Sequence, residues 1–395
     1  MSYTMIQINY LTNHLKKIGV FLILLMCFSC NKNAQLEKEI EAVPMDLKVE
    51  RFDQVFMQST KESLPTLKTQ YPFLFPKQTP DSIFFNLLMC LSCNKNAQLE
   101  KEIEAISMDL KVERFDQAFM KITEETLPFY KTAYPFLFPN HISDSVLLER
   151  TKDPIQKLIQ KSVDSVFSDF QETEAEVVAF YKHLKYYNPS LKKPRVITVF
   201  SDVDYRNKVI VTDSIVLISI DNYLGADHEF YESFYSYIRK NLKRDQIVMD
   251  LADAYATRLI NQPRRNTFLE ELIYHGKKLY LKDLWVPLAE DSTTIGYNDN
   301  ELFWANDNEF YIWQYFIENE LLYSTDNKLV GRFITAAPFS RFNLELDSES
   351  PGALGRYIGW QIVRSYMENN STSLLQMLQM DAQSLFNKAK YKPRK

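Results

Sequence analysis

Apolar positions recur at helical spacing through most of the chain after residue 147, and three short runs break that rhythm. Arg195–Phe200 (RVITVF), Lys208–Thr212 and Ile215–Ile220 (IVLISI) are short and rich in β-branched residues, and they predict strands. Asp213 and Ser214 turn the chain between the last two. Ile215–Ile220 is almost continuously apolar, as expected of a strand covered on both faces. Residues 147–187 predict helix with a break near Ser168 and Asp169. Further helices are expected over about 229–242, 245–260, 266–284, 298–323, 352–370 and 381–388. Pro189, Pro194, Pro263, Pro287, Pro338 and Pro351 fall between these segments, where a residue without an amide proton does least harm. The pattern predicts an α+β fold: a small sheet of about three strands followed by a mainly helical body.

The first segment has a different pattern. His14, Lys16 and Lys17 precede the unbroken apolar run Ile18–Phe28, and Ser29-Cys30 follow. As a helix this run rises about 16 Å, about half of a bilayer's hydrocarbon core. It has the size of an export signal's apolar region. A small residue directly before cysteine suits a lipoprotein signal peptidase, so Cys30 is the expected lipidation site. Cys27 stands where leucine is usual. Two or more acyl chains, at about 0.8 kcal/mol per buried methylene, would make membrane attachment effectively permanent.

A gapless repeat follows at an offset of 63 residues, the separation of Cys30 and Cys93. Cys30–Ala42 recurs unchanged as Cys93–Ala105, Met45–Gln54 (MDLKVERFDQ) as Met108–Gln117, and Tyr71–Pro76 (YPFLFP) as Tyr134–Pro139. Two units do not make a solenoid, which needs three or more. The second copy also carries the signal-like LLMCLSC (Leu87–Cys93) without a basic flank. A tandem duplication of one leader-plus-amino-terminal segment accounts for both facts. The expected organisation is a signal peptide over 1–30, a duplicated segment acting as a loose tether over 31–92, and a main domain over 93–395. Copy two continues directly into the body, so it should dock at the lower loop-closure cost.

Composition narrows the function. The 395 residues carry 46 Lys+Arg and 51 Asp+Glu, a net charge of -5. An acidic balance argues against a nucleic-acid binder, which needs a basic surface to displace counterions. All four cysteines lie in the two leader-like segments, so no disulfide framework is expected. With 8 glycines, and none in a GxGxxG or P-loop pattern, no phosphate-cradling turn is expected. No cofactor is implied.

Candidate chemistry is sparse. His228-Glu229 opens like a zincin helix, but Glu232 occupies the place of the second imidazole. An acidic first turn facing a helix dipole explains the segment better. His183 sits near the end of a basic aromatic helix, where a cation is favourable. No GxSxG elbow accompanies His275, so a serine triad has little support. Asp202, Asp204 and Asp213 flank strands as turn residues. Asp250 and Asp253 lie three apart beside the apolar stripe of Ile247, Leu251, Ala254, Tyr255 and Leu259, and should be half-buried. The plain reading pairs them with Arg258 or a neighbouring lysine. Trp285, Trp304, Trp313 and Trp360 could stack on sugars of the cell wall, although tryptophan at helical spacing more often belongs to a core.

Long strings now point to a family. VERFDQ (Val112–Gln117), YPFLFP (Tyr134–Pro139), SDVDYRNKVI (Ser201–Ile210), DNYLG (Asp221–Gly225), LYLKDL (Leu279–Leu284), LLYSTD (Leu321–Asp326) and SPGALGRYIGWQIVRSYMENN (Ser350–Asn370) resemble the gliding motility lipoprotein family GldB, from Leu99 to the end. The departure is the duplicated leader. The resemblance implies a periplasm-facing lipoprotein of the cell envelope, held in the membrane by its lipid anchor. It would support gliding motility, with envelope proteins of the gliding machinery and its linked secretion apparatus as partners.

The order of elements is also similar, more distantly, to zinc peptidase-like proteins with HExxH, E-G-x-A and Y-x-x-G-x-x-I-V helices. In that register Met249-Asp250-Leu251-Ala252-Asp253 takes the HExxH place, His275-Gly276-Lys277-Lys278 the second, and Arg356–Val363 the third. Both zinc imidazoles are then replaced, by Met249 and Asp253, and a thioether is a poor zinc ligand. The expectation is a gluzincin-like scaffold without peptidase activity. Its degenerate site would be built from Met249, Asp250, Asp253, His275 and Tyr357, with no metal. The alternative is a zinc hydrolase with atypical ligands.

Overall fold

The computed structural model describes residues 98–264, 267–345 and 347–395. Cys30, the first repeat copy and the expected 92/93 boundary lie outside the described residues. Ala97–Lys395 form one compact unit.

Among the described residues one sheet is present, in the order β1-β2-β4-β3: β1 Val112–Glu113, β2 Arg195–Val199, β3 Val209–Val211 and β4 Ile215–Ser219. β1, β2 and β4 run parallel, and β3 returns antiparallel to β4. The three expected strands are present with ends shifted by at most one residue. β1 is an addition, too short to show a period. It is set by its neighbour: Val112 stands opposite Val196, and the Glu113 carboxylate accepts two bonds from Arg195, at 2.8 and 2.7 Å.

Both faces of β4 are covered, as its apolar run predicts. Val216 and Ile218 join the larger core, which also takes Val196, Leu184 and Leu251. The alternate residues Ile215 and Leu217 turn to a smaller cluster formed by Phe115, Leu127, Phe138 and Ile197. That cluster is built by the second repeat copy. Tyr130 and Phe138 meet the Phe115 ring at centroid distances of 6.3 and 5.9 Å. Copy one carries Leu67 in register with Tyr130, and Ser59 in register with the buried Ile122. Copy two is therefore the better fit as well as the nearer one.

Six helices frame the body: α1 Pro154–Val166, α2 Gln171–Tyr187, α3 Gln246–Leu259, α4 Phe268–Trp285, α5 Leu354–Asn369 and α6 Ala382–Ala389. Their starts follow local chemistry. Asp153 accepts from the Ile155 amide before α1, with Pro154 as first helical residue, and Thr267 accepts from the Glu270 amide before α4. α4 is the central element. Its Tyr274, Leu281 and Trp285 enter the sheet-side core, whereas Phe268, Leu269, Leu272 and Ile273 enter a second, all-helical core.

α4 and α5 cross at two glycines. A Cβ on Gly276 would lie 2.2 Å from the Gly359 carbonyl oxygen, and one on Gly359 would lie 1.8 Å from that of Leu272. The backbones touch there because no side chain intervenes.

Three helix expectations fail. Residues 147–187 break twice, with a further gap between Asp144–Arg150 and Pro154–Val166 besides the one near Ser168. Residues 229–242 hold only a 3-10 turn, Glu229–Tyr231, and a short helix, Ser236–Arg239. Tertiary bonds override propensity: the buried Tyr231 hydroxyl donates to the Asp221 carbonyl and accepts from the Leu224 amide, and a bridge pairs Leu224 with Lys243. The span 298–323 is two helices, Asp299–Asp307 and Glu309–Glu318, parted at Asn308, whose side chain donates to the Trp304 carbonyl.

Candidate functional site

α3, α4 and the first turn of α5 bring a set of charged side chains together. On α4, His275, Lys278 and Lys282 are spaced three and four apart and share a face. On α3, Asp250 and Asp253 share the opposing face. The Asp253 carboxylate takes Lys278 at 2.6 Å and Lys282 at 3.4 Å. Asp250 takes Lys208, on the approach to β3, at 2.6 Å and the hydroxyl of Tyr223 at 2.9 Å. Arg356, at the start of α5, donates its Nε to the Ile334 carbonyl at 2.6 Å.

The electrostatics tie these groups into one site. Burial raises the Asp253 carboxyl, but the charges of Lys282, Lys278 and Arg356 overcome it and hold the group far below the usual carboxylate range. His275 is pushed down to about 3, first by burial and then by Arg356 and Lys278, so its imidazole is neutral near neutral pH. Burial lowers Lys282 against the pull of Asp253 and Asp250. The lysine side chains are 12% exposed, yet that of Asp253 is 43% exposed. This cation-rich basin, so called for its charges, has its two lysines held on Asp253, whose side chain faces water.

Of the five residues expected to form a degenerate site, three are here: Asp250, Asp253 and His275. The other two lie elsewhere. Met249 is 1% exposed in the sheet-side core and lines a hollow with Phe180, His183 and Trp285. Tyr357 is in the helical core, its hydroxyl 2.8 Å from both the Glu309 carboxylate and the Asn306 side-chain oxygen. Lys208, Lys278, Lys282 and Arg356 were not anticipated. The i, i+3, i+7 spacing of His275, Lys278 and Lys282 was a visible signal for part of them. Arg258 pairs with Asp213 instead of Asp250 or Asp253.

The remaining candidates have structural partners. His228 accepts from the Phe230 amide and starts the 3-10 turn. His183 bridges the Ala179 carbonyl and Glu100. Trp285 and Trp360 are 2% and 0% exposed and offer no stacking face, and Trp304 and Trp313 are partly buried against the helical core. Several of the long strings touch one another. The Asp221 carboxylate of DNYLG accepts from the amides of Ser201 and Val203, holding the loop in which Asp202 and Val203 adopt left-handed φ of 56° and 63°. Asp283 of LYLKDL accepts from Trp360 and Arg364 of the α5 string.

As a metal centre the basin fits poorly. Among the described residues no three of His, Cys, Asp and Glu converge on one point. Asp253, the carboxylate in the second-imidazole place, is already bracketed by two ammonium groups. A dication about 6 Å from one such charge is repelled by roughly 5 kcal/mol at an effective dielectric near 20.

Fold and site thus define an α+β protein with a helical body and a cation-rich basin at the meeting of three helices. The chain belongs to the family described as Gliding motility protein GldB, whose model matches residues 33–97 and again 96–393. Both repeat copies are therefore pieces of the same family, and membership implies a role in gliding motility. The family's lipoprotein designation suggests a cell-envelope location. Among the described residues no helix is long and apolar enough to cross a membrane. No curated protein and no solved structure matches the chain.

Proposed function

We propose that this chain is a lipid-anchored envelope scaffold that supports gliding by binding partner proteins, on a peptidase-like body without catalysis. Acylation of Cys30 would hold it in the membrane facing the periplasm, close to the gliding machinery and its linked secretion apparatus. One observation carries the non-catalytic part: in the place of a zinc helix, Asp253 is spent on Lys278 and Lys282, with Arg356 close by. The contact of Gly276 with Gly359 supports the peptidase-like reading, because these are the glycines of its second and third motifs.

The test uses the full chain in a gliding host. Acyl labelling and membrane fractionation, with Cys30→Ala as control, should give labelled membrane protein that becomes unlabelled and unanchored in the variant. Metal analysis of chelator-free protein should find far less than one equivalent of zinc. Label retained by Cys30→Ala would overturn the anchor. Stoichiometric zinc, lost together with hydrolysis in Asp253→Ala, would establish the hydrolase instead.

A further inference from the structure

We propose that the cavity between α2, the start of α3 and the turn after α4 takes a tyrosine-like side chain from a basic segment of a partner protein. The inference deepens the reading of a partner-binding scaffold and rests on it.

The cavity holds about 390 Å³, within the range of ligand pockets, about 300–1,000 Å³. Its walls are apolar and held: Phe180, Val248, Met249 and Trp285 line it, each 7% exposed or less. The Phe180 and Trp285 rings meet edge to face at a centroid distance of 6.2 Å. Aromatic walls and a thioether favour a ring as occupant. One polar group interrupts this lining. The Trp285 Nε1 is buried, and no described residue accepts from it. An indole nitrogen can only donate, and a buried donor without a partner is unfavourable. A ring with an acceptor oxygen at its tip, as tyrosine has, supplies what that donor lacks.

The rim sets a second requirement. The lining includes the carboxylates of Glu176, Asp245 and Glu290 but no lysine or arginine. Arg244 is divided between Glu172 and Glu176, and Lys243 stands 3.7 Å from Asp245. Among the described residues no ion pair reaches Glu290. Four carboxylates thus share two cations, so the rim favours an incoming lysine or arginine. Burial raises the Glu176 carboxyl against the pull of Arg244, which a further cation would offset. The occupant also extends past the cavity. Leu288, in the same lining, is 96% exposed. A partner protein's surface would cover that leucine, whereas a small molecule filling the cavity would leave it in water.

The experiment uses the full chain purified in detergent and three probes: acetyl-Tyr-Lys-amide, acetyl-Phe-Lys-amide and acetyl-Tyr-Glu-amide. Binding is read by calorimetry, and saturable binding of the first is expected. The second lacks the phenol oxygen and the third reverses the charge, and each should bind about fivefold more weakly. Trp285→Phe keeps a ring but not the N–H. It should abolish the preference for the tyrosine over the phenylalanine probe, a coupling that a merely structural role would leave in place. Glu290→Gln, at an exposed position, should narrow the preference for lysine over glutamate, and Glu318→Gln, on the helix Glu309–Glu318, should change neither. Either control probe binding the parent as well as the first would overturn the proposal, as would a tyrosine preference unchanged in a folded Trp285→Phe protein. Should that variant not fold, the parent's ranking of probes and Glu290→Gln decide. Absence of saturable binding removes this site alone, because the scaffold reading is judged by acylation and metal content.

Discussion

The α4–α5 crossing offers the sharpest test of how this body is held together. Gly359→Ala places a methyl group 1.8 Å from the Leu272 carbonyl oxygen and 2.6 Å from its carbon. Ordinary contact begins near 3.4 Å, so the helices must part by about 1.6 Å at the crossing. The obstacle is backbone, which cannot rotate aside as a flexible side chain would. A gap of 0.5–1 Å already forfeits about a quarter to a half of each dispersion contact, and Leu272, Ile273, Ile358 and Ile362 all pack in this core. The expected cost is roughly 3 kcal/mol, at the upper end for an overfilled core, after alanine's helix preference of about 1 kcal/mol is deducted. At about 2 °C per kcal/mol for a domain of this size, the thermal midpoint should fall by about 6 °C. The control is Gly331→Ala, on the exposed face of the helix Lys328–Phe333, where a Cβ meets nothing within 4 Å. It should be neutral or stabilising by about 0.5–1 kcal/mol. Calorimetric melting of both variants decides the matter. A Gly359→Ala midpoint equal to that of Gly331→Ala would refute close backbone packing at this crossing.

Three further outcomes are expected. His275 has a folded pKa of about 3 against an ordinary 6.5, so the unfolded chain takes up a proton that the folded chain refuses. Its contribution is complete above pH 6.5 and is lost as pH falls toward 3, amounting to roughly 2 kcal/mol at pH 5. The midpoint difference between parent and His275→Gln should shift by that amount between pH 7 and 5, and a constant difference would contradict it. Arg364 donates to Asp283 and Asp291 with four bonds of 2.8–2.9 Å and lies 3.7 Å over the Trp360 ring. Arg364→Lys keeps the charge but not the fork, and urea melts should show a loss of about 2 kcal/mol. Deleting residues 30–92 joins Ser29 to Cys93 and restores the same Ser-Cys-Asn-Lys-Asn junction. Copy two supplies Phe115, Leu127 and Phe138 to the small cluster, so the body's midpoint should stay within about 1 °C. A fall of several degrees would mean that copy one also contributes to stability.

Much of the frame was legible in the chain itself, for reasons that act over a few residues. A β-branched run with no helical period has few options but a strand, and Arg195–Val199 and Ile215–Ser219 follow from that. Pro263 marked the approach to α4, whereas the start of α1 at Pro154 falls inside a segment whose periodicity predicts continuous helix. The repeat and the leader-like segments are facts of the letters alone, and so was the half-buried placing of Asp250 and Asp253 beside an apolar stripe. Periodicity specifies which face of a helix is turned inward; it carries no information about what is met there. Only the assembled structure set Asp253 between Lys278 and Lys282, brought Arg356 to the same basin, and turned the next residue, Tyr357, into the opposite core. The same limit explains β1, which exists because β2 offers it an edge, and 229–242, where the Tyr231 hydroxyl's two partners outweigh helix preference. Local bias is written along the chain, whereas the charge balance of a site depends on which helices cross and how closely, and here two facing glycines decide it.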